Sequence, residues 1–439
     1  MFSILCNLIQ FNLIHLSCTF LSKNYTDNDL LREFLTVMDK VFKWSCLIGV
    51  LGSKRYFCYF WSAFILIVLL FMESTAIWKV IKAFAGWAID MAGQRSVTAR
   101  IAGTIFYTIA ILSLILASKL YRSWGDIAAL WARIERIMAV KAPADRTLKK
   151  RMYFITGFMT VCAMIEHVMS IISSIGLDCP PSLIIKRYVL LSHGFMILRH
   201  EYSDWYALPL VFMSTVATLL WNFQDQMIVL ISMGLASRYH RLNQCLVKIF
   251  VGKNRFKLFV FLFQKNDATN VYTWRKLREA YVKQAMLVRK VDGSMGGIII
   301  LSCFCNFYFI CLQLFLLITQ GQKTEPIKTA YYFVSLGWLC FRVISVVLAA
   351  SDINAQSRLA LNHIYTHDTQ CYNVEVGRLQ NQLSKDYVAL SGNGFFILSK
   401  SILLQMASSI ITYELVLIQF DDKGTDEGQL NLTKNAIGV

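Results

Sequence analysis

Long apolar stretches recur along the chain and are separated by segments that carry most of its charged residues. A hydrocarbon core about 30 Å thick needs roughly twenty helical residues to cross it. Seven stretches reach that length, so the pattern predicts seven membrane-spanning helices in an all-α protein. Their approximate bounds are 56–79, 97–119, 151–177, 205–235, 295–319, 330–350 and 400–421.

The distribution of Lys and Arg predicts the orientation of these spans, because both residues accumulate on the cytoplasmic side of membranes. They are dense in the N-terminal segment and after the second and fourth spans, and sparse after the first, third and fifth. The N-terminus is therefore predicted to be cytoplasmic and the C-terminus extracellular. This is the reverse of the G-protein-coupled receptor arrangement, although the number of spans is the same.

Two charged segments beside these spans repeat apolar residues with helical periodicity. "WGDIAALWARIERIMAV" follows the second span, and "TWRKLREAYVKQAMLVRKV" precedes the fifth. Each is predicted to extend its span as a basic amphipathic helix into the cytoplasm, where the two can pack together. The run "FKLFVFLFQ" in the same cytoplasmic loop has an apolar core too short to cross, so a buried or interfacial turn is favoured.

The first twenty residues are apolar enough to mimic a signal peptide or a further span. They lack a basic start, and polar residues interrupt the apolar face, so an interfacial or disordered cytoplasmic lead is favoured. The predicted organisation is then a cytoplasmic segment, a four-span bundle, a cytoplasmic anchor region, two spans, a cytoplasmic loop with the inner part of the last helix, the last span and an extracellular tail. The respective bounds are 1–55, 56–235, 236–294, 295–350, 351–399, 400–421 and 422–439.

Composition supports a membrane protein and excludes other classes. Hydrophobic residues make up 56% of the chain, and the mean hydropathy is +0.49, more apolar side chain than a soluble core of this size could bury. The net charge of +17 gathers in loops without a nucleic-acid-binding motif, so no nucleic-acid partner is expected.

Catalysis and metal binding are not indicated. HExxH, GxSxG and P-loop motifs are absent from the sequence, and the neighbouring Glu166 and His167 lack a nucleophile at a recognisable spacing. The twelve cysteines show no metal-ligand spacing, and Cys303, Cys305 and Cys311 are best interpreted as small core side chains. Neither a cofactor nor an enzymatic activity is therefore predicted.

The C-terminal part of the chain carries a family likeness. Thr412-Tyr413, five mostly apolar residues and then Gln419-Phe420 resemble the signature of insect gustatory receptors, and Glu414 resembles the variant of the sugar-receptor branch. The likeness extends over about 155–421, while the N-terminal lead and "FKLFVFLFQKNDATNV" depart from it. Further stretches that share it are "IEHVMSIISSI", "WNFQDQMIVLISMGLASRYHRLN", "NFYFICLQL", "YYFVSLGWLCFRV" and "ASDINAQSRLAL".

This resemblance implies a tetrameric ligand-gated cation channel, similar in fold to insect odorant receptors, in the plasma membrane of chemosensory neurons. Each subunit would contribute its last helix to a central pore and hold a sugar, a mono- or disaccharide, in its own extracellular-side pocket. The implied partners are that sugar, permeant Na⁺, K⁺ and Ca²⁺, membrane lipid, and either identical subunits or related gustatory receptors in a heterotetramer.

A helix that lines a pore must present a closable apolar surface and still offer oxygen atoms to a permeating ion. On a helical period, Thr412, Val416 and Gln419 lie near one stripe with Phe420 beside it, and these residues are the candidate gate. Asp421 and Asp422 follow on the outer side and would attract cations to the mouth. The alternatives are ordinary helix packing for the candidate gate residues and a solvent-exposed flank for Asp421 and Asp422.

A sugar site needs aromatic surfaces together with carboxylate, amide or imidazole groups. Polar and aromatic residues at membrane depth are the candidates, although helix bridging by Glu166 and His167, a structural Asp225 and an interfacial aromatic belt including Tyr331 remain alternatives. The candidate ligand residues are Glu166, His167, Trp221, Asp225, Asn306, Tyr308, Gln313, Tyr332 and Trp338.

Two further hypotheses concern the last helix and its flank. A bare carboxylate at Glu414 is costly inside a membrane, so this residue is expected to be neutral or paired, and Arg342 is one candidate partner. Asn431 begins a glycosylation sequon on the predicted outer side.

The competing functions are a secondary sugar transporter, for which internal repeats are missing, and a chemoreceptor of the same fold with a ligand other than sugar.

Overall fold

A computed structural model of the 439-residue chain shows helices connected by short segments. Within the part of the chain that it describes, the only extended pairing is an isolated bridge between Ser391 and Ile397. The described residues are 33–53, 55–85, 97–138, 145, 147–193, 197, 202–256, 267–320, 326–366 and 374–416.

Ten α-helices follow one another in these ranges, with short 3₁₀ turns at Cys46–Ile48 and Pro181–Leu183. We number the helices in chain order as α1 (Glu33–Ser45), α2 (Tyr56–Phe84), α3 (Val97–Met138), α4 (Leu148–Ile175), α5 (Ile184–Ser192), α6 (Asp204–Phe256), α7 (Asp267–Gln320), α8 (Pro326–Tyr365), α9 (Val374–Lys385) and α10 (400–416).

Six of the described helices are long and apolar enough to cross a membrane. They correspond to the first six predicted spans, the third of which ends at Ile175, two residues before its predicted bound, and with the helical architecture they confirm the all-α class. The predicted seventh span at 400–421 is helical over 400–416, and its last residues lie outside the described part of the chain. The six candidate segments are Tyr56–Lys82, Ile101–Arg136, Leu148–Ile175, Asp204–Ile249, Val271–Ile318 and Pro326–Tyr365.

The amphipathic segments do extend their spans. Helix α3 continues for 42 residues to Met138, and α7 begins at Asp267 and runs for 54 residues. Helix α6 has a similar extension, which sequence analysis treated as part of a loop. Arg238 on this extension contacts both α3, at Glu135, and α7, at Gln284, so α6 connects the two predicted basic helices.

Helix α1 was not predicted from the sequence. One face of it is buried: Phe34 stacks on Trp131 of α3 at a centroid distance of 4.0 Å, and Phe42 packs on Trp124 at 5.3 Å. Gly234 of α6 permits this packing, because a Cβ atom there would lie 2.3 Å from the Phe34 ring. The apolar period of α1 is clear, but its short length concealed it among charged residues.

Cys46 and Cys58 form a disulfide with a Cα–Cα distance of 5.9 Å, which connects the turn after α1 to the first turn of α2. Cysteine spacing alone did not predict this pair. By contrast, Cys303, Cys305 and Cys311 are free, and the last two are buried, as expected for core side chains.

Candidate functional site: a buried polar cluster and the last helix

A buried ion pair joins α6 and α8 in the membrane-spanning bundle. Asp225 and Arg342 are 0% and 1% exposed, and the Arg342 Nε and Nη2 atoms lie 2.8 and 2.5 Å from Asp225 Oδ2. From α7, Ser302 Oγ donates to Asp225 Oδ1 at 2.5 Å, and Asn306 Nδ2 donates to Oδ2 at 3.1 Å. A charge away from water needs such partners, and this carboxylate obtains them from two helices beside its own.

The pairing proposed for Glu414 is wrong. Arg342 is bound to Asp225, and neither carboxyl oxygen of the buried Glu414 has a hydrogen-bond partner among the described residues. An unpaired carboxylate is costly in such surroundings, so a neutral acid at Glu414 is the expectation that we keep as a prediction. Arg342 is the one charged residue in the predicted span 330–350, and that feature could have marked it as a site residue.

Aromatic rings enclose the ion pair on one side. The Arg342 guanidinium lies 4.4 Å from the centre of the Trp221 ring, which packs against Phe309 of α7 at 4.6 Å. The Trp221 indole N–H and the Asn306 carbonyl oxygen are buried without a hydrogen-bond partner in the described structure. Leaving such a group unsatisfied costs about 1–3 kcal/mol, so these two atoms are the natural contacts for a ligand hydroxyl or a water.

A second polar cluster joins α4, α7 and α8. Glu166 Oε1 accepts hydrogen bonds from Tyr331 OH at 3.3 Å and from Ser335 Oγ at 3.1 Å. Gln313 Nε2 donates to the same Ser335 hydroxyl at 3.3 Å, while the Gln313 carbonyl oxygen has no partner among the described residues. The sequence identified Glu166 and Gln313 separately, and the fold brings them together through Ser335.

His167 does not join this cluster, although it follows Glu166 directly. Its Nε2 and Nδ1 atoms lie 3.1 Å from the hydroxyl oxygens of Thr215 and Thr218 on α6. Helical neighbours differ by about 100° in direction, so Glu166 is directed to α8 and His167 to α6. The two residues therefore bridge α4 to two different helices, which is the structural alternative that the sequence left open.

The remaining candidates lie around these groups. Trp338 Nε1 donates to Asn222 Oδ1 at 3.3 Å, and its ring stacks on Phe341 at 5.6 Å. Tyr308 packs edge-on against Phe309 at 5.2 Å, next to the Trp221 ring, and Tyr332 lies half-buried on α8. The residues that sequence analysis missed are Asn222, Ser302, Ser335 and Arg342.

Helix α10 packs on the bundle through one stripe only. Ile402, Met406 and Ile410 contact the core, and Glu414 is buried one turn further on. The opposite face is exposed along its length and includes the apolar Leu404, Ile411, Leu415 and Val416. It also presents an amide and hydroxyl groups that follow helical spacing, at Gln405, Ser408, Ser409 and Thr412.

The candidate gate is only partly described. Val416 is 43% exposed and Thr412 is exposed on the same face of α10, where its hydroxyl donates to the Ser408 carbonyl at 3.0 Å. The signature residue Tyr413 is 45% exposed and lies between this face and the bundle. The other gate residues and the candidate outer-mouth acids lie outside the described residues: Gln419, Phe420, Asp421 and Asp422.

A separate charge cluster lies where α3, α6 and α7 extend beyond the predicted spans. Arg238 and Arg241 of α6 both donate to the buried Glu135 of α3. Arg238 Nε also donates to Gln284 of α7 at 2.7 Å, and its guanidinium lies 5.0 Å from the centre of the Trp131 ring. One acid thus holds two arginines, and the cluster fixes the three extensions against one another.

Asp145 connects the segment after α3 to α4 and α6. It accepts hydrogen bonds from the Thr147 amide at 3.0 Å and from Ser237 Oγ at 3.0 Å, and it pairs with Arg151 at 2.5 Å. Burial opposes ionisation of Asp145, but the Arg151 charge and the hydrogen bonds from Thr147 and Ser237 outweigh it, so its pKa lies below the usual value.

A wide concavity of about 500 Å³ opens between α7 and α9, away from the predicted ligand residues. Cationic and amide side chains dominate its surface, and it is open to solvent. The polar cluster around Asp225 therefore remains the place where the sequence-predicted ligand residues converge. The concavity is lined by Arg278, Arg378, Asn381, Gln382, Lys385 and Asp386.

The class of protein follows from the fold. The solved structure of the insect olfactory receptor OR5 from Machilis hrabei is similar to this chain with a TM-score of 0.64 at 13% identity, over 90% of this chain and 100% of that one. The structure of OR5 in complex with eugenol gives a TM-score of 0.60. The chain is a multi-pass membrane protein with the insect olfactory receptor fold.

Sequence comparison then defines the family. The family model described as trehalose receptor matches residues 59–429. Two Drosophila melanogaster proteins are similar: gustatory receptor for sugar taste 64a is 28% identical over 340 residues, 74% of this chain and 70% of that protein. Gustatory receptor 5a for trehalose is 30% identical over 323 residues, 72% of this chain and 69% of that protein.

This chain belongs to the trehalose receptor family of insect gustatory receptors. The resemblance drawn from the C-terminal signature is thereby confirmed. Membership also answers the question of catalysis, since the family consists of receptors and not of enzymes.

Proposed function

We propose that this chain is a subunit of a sugar-gated, non-selective cation channel in the plasma membrane of chemosensory neurons. The observation that carries the proposal is the buried polar cluster at the crossing of α6, α7 and α8, in which Trp221 and Asn306 present unpartnered polar atoms beside the Asp225–Arg342 pair. Relatives named for sugar taste and for trehalose support a sugar as the ligand.

The chemistry of the cluster suits a polyol. A sugar hydroxyl can accept from the Trp221 indole N–H and donate to the Asn306 carbonyl oxygen, which satisfies both atoms. The Trp221 and Phe309 rings offer apolar surface to the C–H face of the sugar. Asp225 and Arg342 hold each other and three neighbouring helices in position, so we assign them to orienting the site.

The Glu166 cluster is proposed as a second set of contacts. Gln313 has an unpartnered carbonyl oxygen there, and Tyr331 and Ser335 hold the Glu166 carboxyl group. Tyr308, Tyr332 and Trp338 would supply aromatic surface between the two clusters. His167 is occupied by two threonine hydroxyls, so its proposed role is to position α4 and not to contact the ligand directly.

The conduction pathway is proposed to run between four copies of α10. An exposed stripe of hydroxyl and amide groups on an otherwise apolar helix requires water or a polar partner, which a shared pore supplies. In this arrangement the seventh span runs from the cytoplasm outward, Val416, Gln419 and Phe420 form the constriction, and Asp421 and Asp422 surround the outer mouth. Identical chains or related receptors can complete the tetramer.

Helix α7 connects the proposed ligand site to the proposed pore helix α10. Its residues Ser302 and Asn306 bond to Asp225, while Tyr308 and Cys311 lie within electrostatic range of Tyr413 and Glu414 of α10. A sugar that binds more tightly when α7 is displaced would therefore move the surface on which α10 rests. Differential affinity for the two positions is the requirement for gating, since a ligand with equal affinity shifts no equilibrium.

The decisive experiment is whole-cell recording of this chain, expressed alone and tested with a panel of mono- and disaccharides. Trp221→Phe retains the aromatic ring and removes the indole N–H. Loss of one hydrogen bond should raise the sugar concentration for half-maximal current about five- to tenfold, with unchanged ion selectivity. Trp78→Phe on the exposed face of α2 is the matched control.

Three results would reject parts of this proposal. A fall in maximal current at an unchanged half-maximal concentration would reassign Trp221 to gating or folding. Concentrative sugar uptake without a current that reverses near the mixed-cation equilibrium would indicate a carrier instead of a channel. A current evoked only by compounds other than sugars would retain the channel and change its ligand.

A further inference from the structure

The segment between α9 and α10 is a folded turn and not a loose linker. Its two arms, at Leu390 and Leu398, are fully buried and are joined by a backbone hydrogen bond of 3.0 Å from the Leu398 amide to the Leu390 carbonyl. The Gly392 amide also donates to the Phe396 carbonyl at 2.9 Å. We call residues 390–398 the pre-α10 turn, since α10 begins at residue 400.

One carboxylate of α7 holds this turn. Asp292 Oδ1 accepts from the Ser391 amide at 2.6 Å, and Asp292 Oδ2 accepts from the Ser391 hydroxyl at 2.8 Å. The same hydroxyl accepts from the Gly394 amide at 3.1 Å, which closes the turn on itself. Hydrogen bonds to an ionised acceptor are roughly twice as strong as neutral ones, so this two-point contact is a firm attachment.

The surface of α7 is shaped to receive the turn. A Cβ atom on Gly296 would lie 2.0 Å from Asn393 Oδ1 and 2.8 Å from the Asn393 amide nitrogen. Asn393 has a φ of 49°, in the left-handed region that asparagine tolerates better than most residues. A Cβ on Gly293, one turn earlier on α7, would meet no atom within 4 Å. Glycine at position 296 therefore leaves the space that Asn393 of the turn occupies.

A second helix also supports this segment. Asn354 Nδ2 of α8 donates to the Val388 carbonyl at 3.0 Å, just before the turn. Helices α7 and α8 are the same helices that contribute Asn306 and Arg342 to the polar cluster, and Asp292 precedes Asn306 by about 21 Å of helix. The inner end of α10 is thus attached to both helices whose movement would report an occupied site.

We infer that Asp292 and the pre-α10 turn form a clasp that sets the resting orientation of α10 and thereby holds the pore closed. The orientation of α10 by the clasp is independent of the proposed function, whereas closure of the pore by the clasp rests on that function. Close packing of four α10 helices needs one defined orientation of each, which a fixed inner end provides. Releasing the clasp lets α10 adopt a wider range of orientations. This change disfavours the closed arrangement more than the open one.

The first test is structural and does not require conduction. Hydrogen exchange of the purified full-length protein is measured for Asp292→Asn and Gly296→Ala. Both variants should accelerate exchange in residues 388–399 and also in α10. Their matched controls are Asp352→Asn, at an exposed acid of α8, and Gly293→Ala, and neither should change exchange in these segments.

The second test is electrical. Asp292→Asn and Ser391→Ala should raise the current without sugar severalfold and lower the half-maximal sugar concentration by up to about tenfold, with unchanged ion selectivity. Ser391→Thr, which keeps the hydroxyl group, should restore wild-type behaviour. A role limited to folding would lower the amount of channel at the surface, and with it the basal and the sugar-evoked current together, and would leave the half-maximal concentration unchanged.

The outcomes separate the clasp from the proposed function. Unchanged exchange in α10 would overturn the clasp, whatever the currents show. Faster exchange in α10 together with wild-type basal current and half-maximal concentration would overturn its gating role. If the wild-type chain passes no sugar-evoked current, either alone or together with a related receptor, while exchange in α10 accelerates in the variants as expected, the channel proposal fails and the positioning role of Asp292 stands.

Discussion

Helices α2 and α10 both leave one face uncovered, but the two faces differ in chemistry. The open face of α2 presents large apolar side chains, among them Phe60, Ile67 and Phe71, at 72%, 65% and 71% exposure. The open face of α10 mixes apolar residues with a stripe of amide and hydroxyl groups that includes Ser408 and Thr412. An aromatic and aliphatic face suits hydrocarbon, whereas a hydroxyl stripe needs a polar neighbour.

The buried acids of these helices differ as well. Glu73 of α2 accepts a hydrogen bond from the Thr108 hydroxyl of α3 at 2.8 Å. Glu414 of α10 has no partner among the described residues. Helix α2 therefore gives its acid one partner within the subunit and leaves Glu73 Oε2 unpartnered among the described residues, whereas both carboxyl oxygens of Glu414 lack a partner there. We propose that this difference reflects lipid around α2 and further chains or water around α10.

The largest expected effect is on conduction. Thr412→Cys should become sensitive to a charged, water-soluble thiol reagent, which would abolish most of the sugar-evoked current because a cysteine reacts as the hydrated thiolate. Ile67→Cys on α2 should not respond, since hydrocarbon excludes both water and reagent. Recording before and after the reagent, with the wild-type chain as background, makes the comparison. Equal sensitivity of both variants would remove the distinction between the faces.

The next effect is on membrane insertion. Phe71→Asp places a charge on the lipid-facing side near the middle of α2 and should cost about 3 kcal/mol of insertion free energy. Ser408→Asp on α10 should cost far less if that face is hydrated. Surface expression and glycosylation-based insertion assays measure both variants. Comparable insertion of Phe71→Asp and wild type would show that α2 does not face lipid.

A smaller effect concerns acid stability outside the spans. Because the pKa of Asp145 is lowered in the folded protein, its contribution to stability is full above its unfolded pKa and is lost as pH falls through the folded value. Hydrogen bonds to a charged group contribute about 1.5–3 kcal/mol, so Asp145→Asn should lower stability by up to that amount at neutral pH. The difference between the variant and the wild type should begin to shrink below about pH 4 and should vanish only below the lowered pKa of the folded protein. Thermal unfolding in detergent across this range tests the sign.

The smallest expected effect is the difference in stability between changes at the two buried acids, Glu73 and Glu414. Thr108→Val removes the partner of Glu73 and should cost about 1 kcal/mol, because a buried acceptor loses its hydrogen bond. Glu414→Gln replaces a group without an internal partner by a neutral one of equal size, and it should change stability by less than about 0.5 kcal/mol. Thermal unfolding of both variants measures the difference. A reversed order would contradict the assignment of Glu414 as a neutral acid.

Much of the fold could be predicted from local properties of the chain. The first six spans and the extensions of α3 and α7 appeared in hydropathy and helical period, because a segment in lipid must satisfy its backbone within itself. Helix α1 escaped detection because a short amphipathic helix resembles a charged loop. The candidate site could be predicted less completely: Asp225 and Asn306 were identified as polar residues at membrane depth, but their direct hydrogen bond and the pairing of Asp225 with Arg342 were not.

The sequence by itself determined that the chain lies in a membrane, its helical class, six of its spans and its family, since each depends on composition or spacing within short segments. Only the tertiary structure decided that Arg342 pairs with Asp225, that Glu166 and His167 serve different helices, and that Asp292 holds the turn before α10. The reason is geometric. A helix turns about 100° per residue, so partners depend on the rotation and axial offset of packed helices, which no single segment encodes.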